Sequence, residues 1–144
     1  MLSTMFNRGS VPALEAMMQF SSARHKAIAN NVANVETVGY KAMDVDVAGF
    51  EKALAQAFHE QHRTPTGVFE MPATRGVRPT ADGLRFRTVE SREAGILRHI
   101  ENNVDLDIEM GKLAKNGGLH NLAASLLAHQ FSMMREAISE RVIA

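Results

Sequence analysis

The sequence predicts a mainly α-helical protein in which long N- and C-terminal helices pair as an antiparallel, coiled-coil-like inner domain. These helices fall in residues 1–43 and 102–144, and residues 44–101 form an irregular middle segment with a short helix and a short β-strand. Near both ends, apolar residues recur at alternating spacings of three and four, as in a coiled-coil stripe. The middle is punctuated by Pro and Gly, which favour loops and short strands. Aromatic residues make up only 6% of the chain, which favours helix–helix packing over a dense globular core.

The N-terminal helix is predicted from a regular seam between residues 11 and 35. Ser21 and His25 are polar interruptions of this seam, Ser10 is the candidate N-cap, and Pro12 lies in the first turn, where proline is tolerated. Because Asn side chains compete for backbone hydrogen bonds, we expect the helix to end near Asn34. The apolar members of the seam are Val11, Leu14, Met18, Ile28, Val32 and Val35.

The middle segment predicts a short helix followed by loops. Residues 48–59 place Phe50, Leu54 and Phe58 on one helical face. Residues 84–89 alternate larger side chains with arginines, as a half-buried strand does. Because the middle holds few large apolar residues, we expect it to cover little of the two long helices. Those helices are then expected to gain much of their stability from neighbouring copies or partner chains.

The C-terminal helix is predicted from a second seam with the same spacing. Asn102 and Asn103 are the candidate caps, and Asp105, Asp107 and Glu109 place negative charge where it complements the helix dipole. The apolar residues expected to pair with the N-terminal helix are Leu106, Met110, Leu113, Leu127, Phe131, Met134 and Ile138. A second apolar row, expected to contact neighbouring subunits, consists of Leu119, Leu122, Leu126 and Met133.

Gly117 and Gly118 interrupt this C-terminal pattern. Two glycines inside a helix cost roughly 2 kcal/mol against alanine. The pair therefore predicts a local break or bend, and the alternative is a neighbouring backbone that packs too close for side chains.

The composition limits the classes of function. Sixteen basic residues balance sixteen acidic ones, so no strong overall field favours nucleic acid or an anionic membrane. The absence of cysteine excludes disulfides and thiolate metal sites. No segment approaches the ~18 apolar residues of a membrane-spanning helix, and no cleaved secretory signal is expected at the N-terminus.

The histidine clusters do not match catalytic or metal-binding patterns. His59 and His62 lie one position too close for the zinc-protease motif, and the stretch is interpreted as a solvated helix end. Ser21 and His25 share a helix, but no acidic residue completes a catalytic triad there.

The charged runs favour structural roles as well. The Asp-rich runs at residues 44–46 and 105–107 lack the glycine and distal glutamate of a calcium loop, so turn and helix-start roles are expected. Residues 63–98 carry an excess of arginine, for which salt bridges to protein neighbours are favoured over nucleic acid. We therefore predict no catalytic residue, cofactor, metal, nucleic-acid partner or small-molecule substrate.

The stretch that follows the N-terminal seam resembles a known motif. Residues 30–41 read N-N-V-A-N-V-E-T-V-G-Y-K, which is similar to the A-N-N-hydrophobic-A-N and T-P-G-Y-K motif of flagellar rod and hook proteins. Val38 replaces the usual proline, and this makes the turn less rigid. The motif residues, expected to determine how the chain leaves the inner helix, are Asn30, Asn31, Ala33, Asn34, Thr37, Gly39, Tyr40 and Lys41.

A second stretch strengthens the resemblance. Residues 103–110 read N-V-D-L-D-I-E-M and resemble the start of the C-terminal helix in the same family. Hook and distal-rod members are much longer, so a length of 144 residues favours a proximal-rod subunit. The chain has a Leu-rich stretch at residues 118–127 instead of the R-x-Y-Q-A-N-like stretch of FlgC-type subunits. The FlgC type is therefore the less favoured of the short types.

The resemblance implies a structural role without a cofactor. In this family the terminal helices pair, and many copies stack into a hollow rod that crosses the periplasm, transmits torque and conducts export. The implied partners are copies of the chain, FlgC-like rod proteins, a FliE-like adaptor, the membrane ring and the export gate. Subunits leave through the flagellar type III apparatus without cleavage. The alternative is a non-flagellar helical adaptor that binds a partner helix through the same seam and does not need the turn at residues 30–41.

Overall fold

The computed structural model describes residues 10–63, 67–97, 99 and 101–140. In chain order its elements are α1 (Val11–Ala33), β1 (Met43–Val45), α2 (Val47–Arg63), β2 (Val77–Thr80), β3 (Gly83–Phe86), β4 (Thr88–Glu90) and α3 (Leu106–Glu140). β1 pairs antiparallel with β4, and β2 pairs antiparallel with β3. The mainly α-helical prediction is confirmed. Within the described residues, no helix combines the length and the apolar character that a bilayer span requires.

α1 and α3 lie side by side and run antiparallel. Asn31, near the end of α1, donates from Nδ2 to Oε2 of Glu109 at the start of α3 over 2.8 Å. Ser21, in the middle of α1, has its Oγ 2.8 Å from Nδ1 of His120, and its carbonyl accepts from Asn116 Nδ2 at 2.8 Å. Because later residues of α1 meet earlier residues of α3, the predicted antiparallel pairing is confirmed.

α1 follows the sequence prediction closely at its C-terminal end and less closely at its N-terminal end. It ends at Ala33, one residue before the predicted limit. Pro12 lies in the first turn as expected, but the side chain of Ser10 makes no capping hydrogen bond, so its assignment as a side-chain cap is wrong. Of the seam, three residues are buried (Val11, Leu14 and Ile28) and three are partly buried (Met18, Val32 and Val35).

The buried face of α3 is polar, which corrects the predicted seam. The residues of α3 that are buried include Glu109, Lys112, Asn116 and Ala123. Four residues of the predicted seam are exposed in the single chain, namely Leu106, Met110, Phe131 and Ile138, and three are partly buried, namely Leu113, Leu127 and Met134. The four exposed residues therefore do not form the buried pairing face. The buried polar residues lie about one position away from the predicted seam. They contact α1 through hydrogen bonds, which the spacing of apolar residues does not reveal.

α3 continues unbroken through Gly117 and Gly118, so the predicted break is wrong. A methyl group added at either glycine would meet no atom within 4 Å, and the alternative of a closely packed backbone fails in the single chain too. Asn116 and His120 flank the pair, and both contact Ser21 of α1. These contacts hold α3 against α1 on both sides of the two glycines, where its helix propensity is lowest.

Gly118→Ala is expected to stabilise the chain by about 1 kcal/mol, because alanine loses less backbone entropy in a helix and here has open space. The measurement is urea unfolding followed by circular dichroism. Gly49→Ala in α2 is the matched control with the opposite sign, since its methyl group would collide with the carboxylate of Asp46. Equal shifts in both variants would contradict this account.

An aromatic cluster joins α1 to the middle segment. The rings of Phe20 and Phe50 stack with centroids 4.1 Å apart, and Phe86 meets both edge-on at 5.6 and 5.8 Å. Ala16, Val45 and Val77 complete this buried cluster. The middle segment therefore covers one whole side of α1, contrary to the expectation that it would cover little.

The middle segment changes its pairing partner at Arg87. The predicted strand at residues 84–89 is two strands, because β3 pairs with β2 and β4 pairs with β1. Between them, the Arg87 N–H donates to Gly76 O, and its carbonyl accepts from the Asp46 N–H. The predicted short helix is longer than expected, and its N-terminal turn is capped by Asp46 Oδ1, which accepts from the Gly49 N–H at 3.0 Å.

Candidate functional site: an asparagine junction

The motif residues after α1 form a compact exit from the helix. Asn34 caps the C-terminus of α1, where its backbone N–H and its Nδ2 both donate to Asn30 O. Its Oδ1 accepts from the Thr37 hydroxyl at 3.1 Å. The side chains of Asn30 and Ala33 are exposed. The predicted end of the helix near Asn34 is confirmed, and the side-chain contacts of Asn34 redirect the chain.

Residues 37–40 form a tight turn. The Tyr40 N–H donates to Thr37 O at 3.3 Å, and Gly39 has a φ of 73°. A type II turn places a positive φ at its third residue and favours proline at its second, which is Val38 here. Val38 is 75% exposed, so its side chain contributes little packing.

Val38→Pro is expected to stabilise the chain by about 0.4–1 kcal/mol, because proline restricts the unfolded chain to the φ that this turn position needs. The measurement is the free energy of unfolding in urea. Gly39→Ala is the paired test of the turn type and should destabilise, since alanine rarely adopts a positive φ. A loss of stability on Val38→Pro would show that the turn is of another type.

Asn31 is the hub of the site and is fully buried. Its Nδ2 donates to Met43 O at 2.7 Å and to Glu109 Oε2 at 2.8 Å. Its Oδ1 accepts from the Met43 N–H at 2.9 Å and from the Tyr40 hydroxyl at 3.1 Å. One amide therefore joins the end of α1, the exit turn, β1 and the start of α3.

Glu109 and Lys112 continue this network in the interior. Their side chains are 1% and 4% exposed, and Lys112 Nζ lies 2.7 Å from Glu109 Oε1. The same ammonium donates to Ser91 Oγ at 2.7 Å, and the Ser91 N–H donates to Ala42 O. Both oxygens of the Glu109 carboxylate thus have a donor, as a buried charge requires.

Asn102 and Asn103 fasten the start of α3 to the exit turn. Asn102 Nδ2 donates to the carbonyls of Asn34 and Thr37 at 2.9 and 2.8 Å. Asn103 Oδ1 accepts from the Ala42 N–H at 2.7 Å. Neither residue caps the helix, so the predicted capping role is wrong for both.

The cap of α3 is Asp105 instead. Its Oδ1 accepts from the N–H groups of Asp107 and Ile108 at 3.0 and 3.3 Å, and its carbonyl accepts from the Glu109 N–H. The predicted helix-start role of the acidic run is confirmed at this residue.

Two charged contacts surround the network. Arg24 forms a bidentate pair with Asp44, with Nη2 2.8 Å from Oδ2 and Nε 3.0 Å from Oδ1. Lys41 Nζ donates to Glu101 O at 2.7 Å. We define the asparagine junction as Asn31, Asn34, Tyr40, Asn102, Asn103, Glu109, Lys112 and Ser91. Sequence reasoning missed Ser91 and Lys112, whose contact with each other spans 21 residues.

Burial, and then the negative charge of Glu109, raise the pKa of the Tyr40 hydroxyl above its ordinary value of 10.0. Because its pKa is raised in the folded state, the protonated Tyr40 hydroxyl contributes to the free energy of unfolding. This contribution is complete below about pH 10 and is lost as the pH rises through the folded pKa. Tyr40 is the single tyrosine of the chain, so tyrosinate absorbance reports on it alone.

We expect a tyrosinate midpoint above 10 in the folded chain, and a lower midpoint in urea. Tyr40→Phe removes this titration and should flatten the loss of unfolding free energy above about pH 10. A midpoint at or below that of free tyrosine would refute the contact between Tyr40 and the interior.

The other polar candidates have structural roles in the described residues. Ser21 is buried, and its hydroxyl donates to Met18 O at 2.9 Å, while His25 is exposed on the same helix. His62 lies in the last turn of α2, where Nδ1 is 2.7 Å from Phe58 O, as expected of a helix end. Among the described residues, no three His, Asp or Glu side chains are placed to hold a metal ion together.

Comparison with known proteins points to one family. A family model described as "Flagella basal body rod protein" matches residues 13–41, which cover α1 and the exit turn. The flagellar basal body rod protein FlgB of Escherichia coli (strain K12) is 27% identical over 125 residues, which cover 84% of this chain and 86% of that protein. FlgB of Borrelia hermsii is 27% identical over 136 residues, which cover 90% of this chain and 95% of that protein.

The matched segments coincide with the parts that the asparagine junction joins. The family model ends at Lys41, so it contains the hub amide of Asn31 and the turn at Gly39. The two relatives, both named FlgB, extend the similarity to 84% and 90% of this chain. The family predicted from the motifs at residues 30–41 and 103–110 is confirmed. Over most of its length this chain is similar to flagellar basal body rod proteins.

Proposed function

We propose that this chain is a structural subunit of the flagellar proximal rod, where it assembles with copies of itself and with other rod proteins into the hollow axial shaft. The observation that carries the proposal is the apolar surface of α3, which its own chain leaves uncovered. In the later turns of α3, five large apolar residues are between 40% and 65% exposed and form two rows on different sides of the helix: Leu122, Leu126 and Met133 in one, and Phe131 and Ile138 in the other. An apolar helical surface of this kind is typical of a protein–protein contact.

The register of the helix pair accounts for the exposure of Phe131, Met133 and Ile138. Ser21 of α1 lies between Asn116 and His120 of α3, so Val11 lies opposite about residue 128 at equal rise along both helices. The last part of α3 therefore extends past the start of α1. Leu119 lies earlier on α3 and packs against the aromatic cluster of its own chain, so it is not free for the neighbour contact that the sequence predicted.

The neighbours in this proposal follow from the family. They are FlgC-like rod subunits above, a FliE-like adaptor below, and the membrane ring and export gate at the base of the rod. The subunit would act in the periplasmic part of the basal body after export without cleavage of a signal peptide. In such a role the protein transmits torque and lines the path of exported subunits, and it needs no cofactor or catalytic group.

Phe131→Asp tests the proposal by placing a charge on the exposed surface of α3. In a strain that lacks the chromosomal gene, we expect the variant to be expressed and folded but unable to support swimming or to appear in purified basal bodies. A carboxylate in an apolar contact must be desolvated without a partner, which opposes assembly.

Ser132→Asp is the matched control, because Ser132 is exposed and lies about 100° around the helix from both Phe131 and Met133. It should support normal swimming. Normal swimming with Phe131→Asp, or normal swimming of the deletion strain itself, would reject the proposed function.

A further inference from the structure

Four arginines surround one cavity on the outer face of the middle segment. Arg75, Arg78, Arg85 and Arg87 line a cavity of about 380 Å³ together with Gly76 and Phe86. All four arginines are exposed. We call these four residues the arginine cluster. They come from strands β2 and β3 and the residues beside them, so a folded hairpin holds their positions.

The arginine cluster has no acidic partner within the described part of the chain. The ion pairs found there involve Arg24, Arg63 and Lys112. Arg78 and Arg85 are direct cross-strand neighbours, and like charges in that position destabilise a hairpin. The nearby carboxylate of Asp46 caps α2 and lies beyond ion-pair distance. The cluster therefore carries an electrostatic cost that the single chain does not offset.

The chemistry of this surface favours carboxylate over nucleic acid. Guanidinium groups bind carboxylates through two parallel hydrogen bonds. Proteins that bind single-stranded nucleic acid also present aromatic faces on which bases stack. The only aromatic ring at the cavity, Phe86, is engaged by Phe20 and Phe50.

The chain carries unpaired carboxylates at its other end. Glu36 follows the cap of α1, and Asp107 lies in the first turn of α3; both are exposed and have no ion pair among the described residues. The hairpin lies beside Gln19, whose Oε1 accepts from the Leu84 N–H. Gln19 is about 22 Å along α1 from the cap residue Asn34. Glu36 and Asp107 thus lie near the C-terminal end of α1 and are well separated from the hairpin of their own chain.

We propose that the arginine cluster of one copy binds the acidic end of a second copy, at Glu36 and Asp107. A contact between two different surfaces of identical chains generates a ring when its rotation closes and an open helical assembly when it does not, and a helical assembly is the form that a rod requires. This contact rests on the proposed function. It would add a charged contact to the apolar contacts that α3 makes in the same assembly. Two carboxylates that face four guanidinium groups would relieve the repulsion between Arg78 and Arg85.

A charge exchange within one chain tests this contact. Arg78→Glu with Arg85→Glu keeps a like-charge pair across the strands, so the hairpin itself changes little in stability. Glu36→Arg with Asp107→Arg reverses the other surface. In the deletion strain, each double variant should lose swimming and rod assembly, and the chain with all four substitutions should regain both. Circular dichroism of each purified variant checks that it folds.

Lys26→Glu with Lys52→Glu is the matched control, because both lysines are exposed and the change in net charge equals that of the arginine variant. It should swim normally. Normal swimming of the arginine variant, or failure of the fourfold variant to recover, would overturn the contact between copies.

Purified wild-type chain is also mixed with phosphatidylglycerol vesicles and with single-stranded DNA. One result would assign the arginine cluster to a membrane or to nucleic acid instead. In that result the wild-type chain binds one of the two probes, the arginine substitutions abolish this binding, and the fourfold variant does not regain swimming. If the arginine variant swims and Phe131→Asp does not, the proposed function stands and this contact alone is rejected.

Discussion

Asn31→Ala is expected to destabilise the chain by about 3–5 kcal/mol, a large part of the total stability of a small domain. The substitution removes four hydrogen bonds at once, two with Met43 and one each with Glu109 and Tyr40. Each buried polar group left without a partner costs about 1–3 kcal/mol. Because the site is fully buried, water reaches these groups poorly. The free energy of unfolding in urea measures the loss directly.

Asn30→Ala is the control for this change, one residue earlier in the same motif. The Asn30 side chain is exposed, and its contribution to the exit turn comes from its carbonyl, which alanine retains. Alanine is also the better helix former, so stability should be unchanged or slightly higher. Equal losses in the two variants would mean that the motif acts through helix propensity and not through the asparagine junction.

Local patterns predicted the C-terminal end of α1 and its exit turn well. The end of α1 near Asn34 follows from the hydrogen-bonding habit of asparagine, and the turn follows from the conformational freedom of Gly39. Both effects act within a few residues, so a single sequence contains them. The family resemblance carried the same information, since its motif spans this stretch.

The buried face of α3 was not predictable from apolar spacing. Glu109, Lys112 and Asn116 are spaced like one face of a helix, but as charged and polar residues they indicate a solvated face. They are buried because partners arrive from elsewhere in the chain: Asn31 is 78 residues from Glu109, and Ser91 is 21 residues from Lys112. Only the fold brings these partners together. Apolar spacing alone therefore predicts the pairing face of α3 on its apolar rows, several of whose residues are exposed.

The aromatic cluster was underestimated for the same reason. Phe20 lies in α1, Phe50 in α2 and Phe86 in β3, and no local pattern shows that their rings meet. With sparse aromatics the sequence favoured helix pairing alone, whereas three packed rings join α1 to the middle segment. On α3, five large apolar residues from Leu122 to Ile138 stay exposed, where the proposed assembly contacts are.

Lys112→Met is expected to cost about 3–5 kcal/mol, because it leaves the Glu109 carboxylate buried without its cation. Methionine is similar in length to lysine and fills much of the same space, so the loss reports on charge more than on packing. Lys115→Met is the control: this exposed lysine lies one turn later on α3, and its substitution should change stability by less than about 0.5 kcal/mol.

Glu109→Gln added to Lys112→Met separates charge from hydrogen bonding. The amide oxygen still accepts from Asn31 Nδ2, and no uncompensated charge remains in the interior. The double variant should therefore recover most of the stability that Lys112→Met loses. If the double variant is no more stable than Lys112→Met, the cost arises from the lost bond between Lys112 and Ser91, and the buried ion pair contributes little to the asparagine junction.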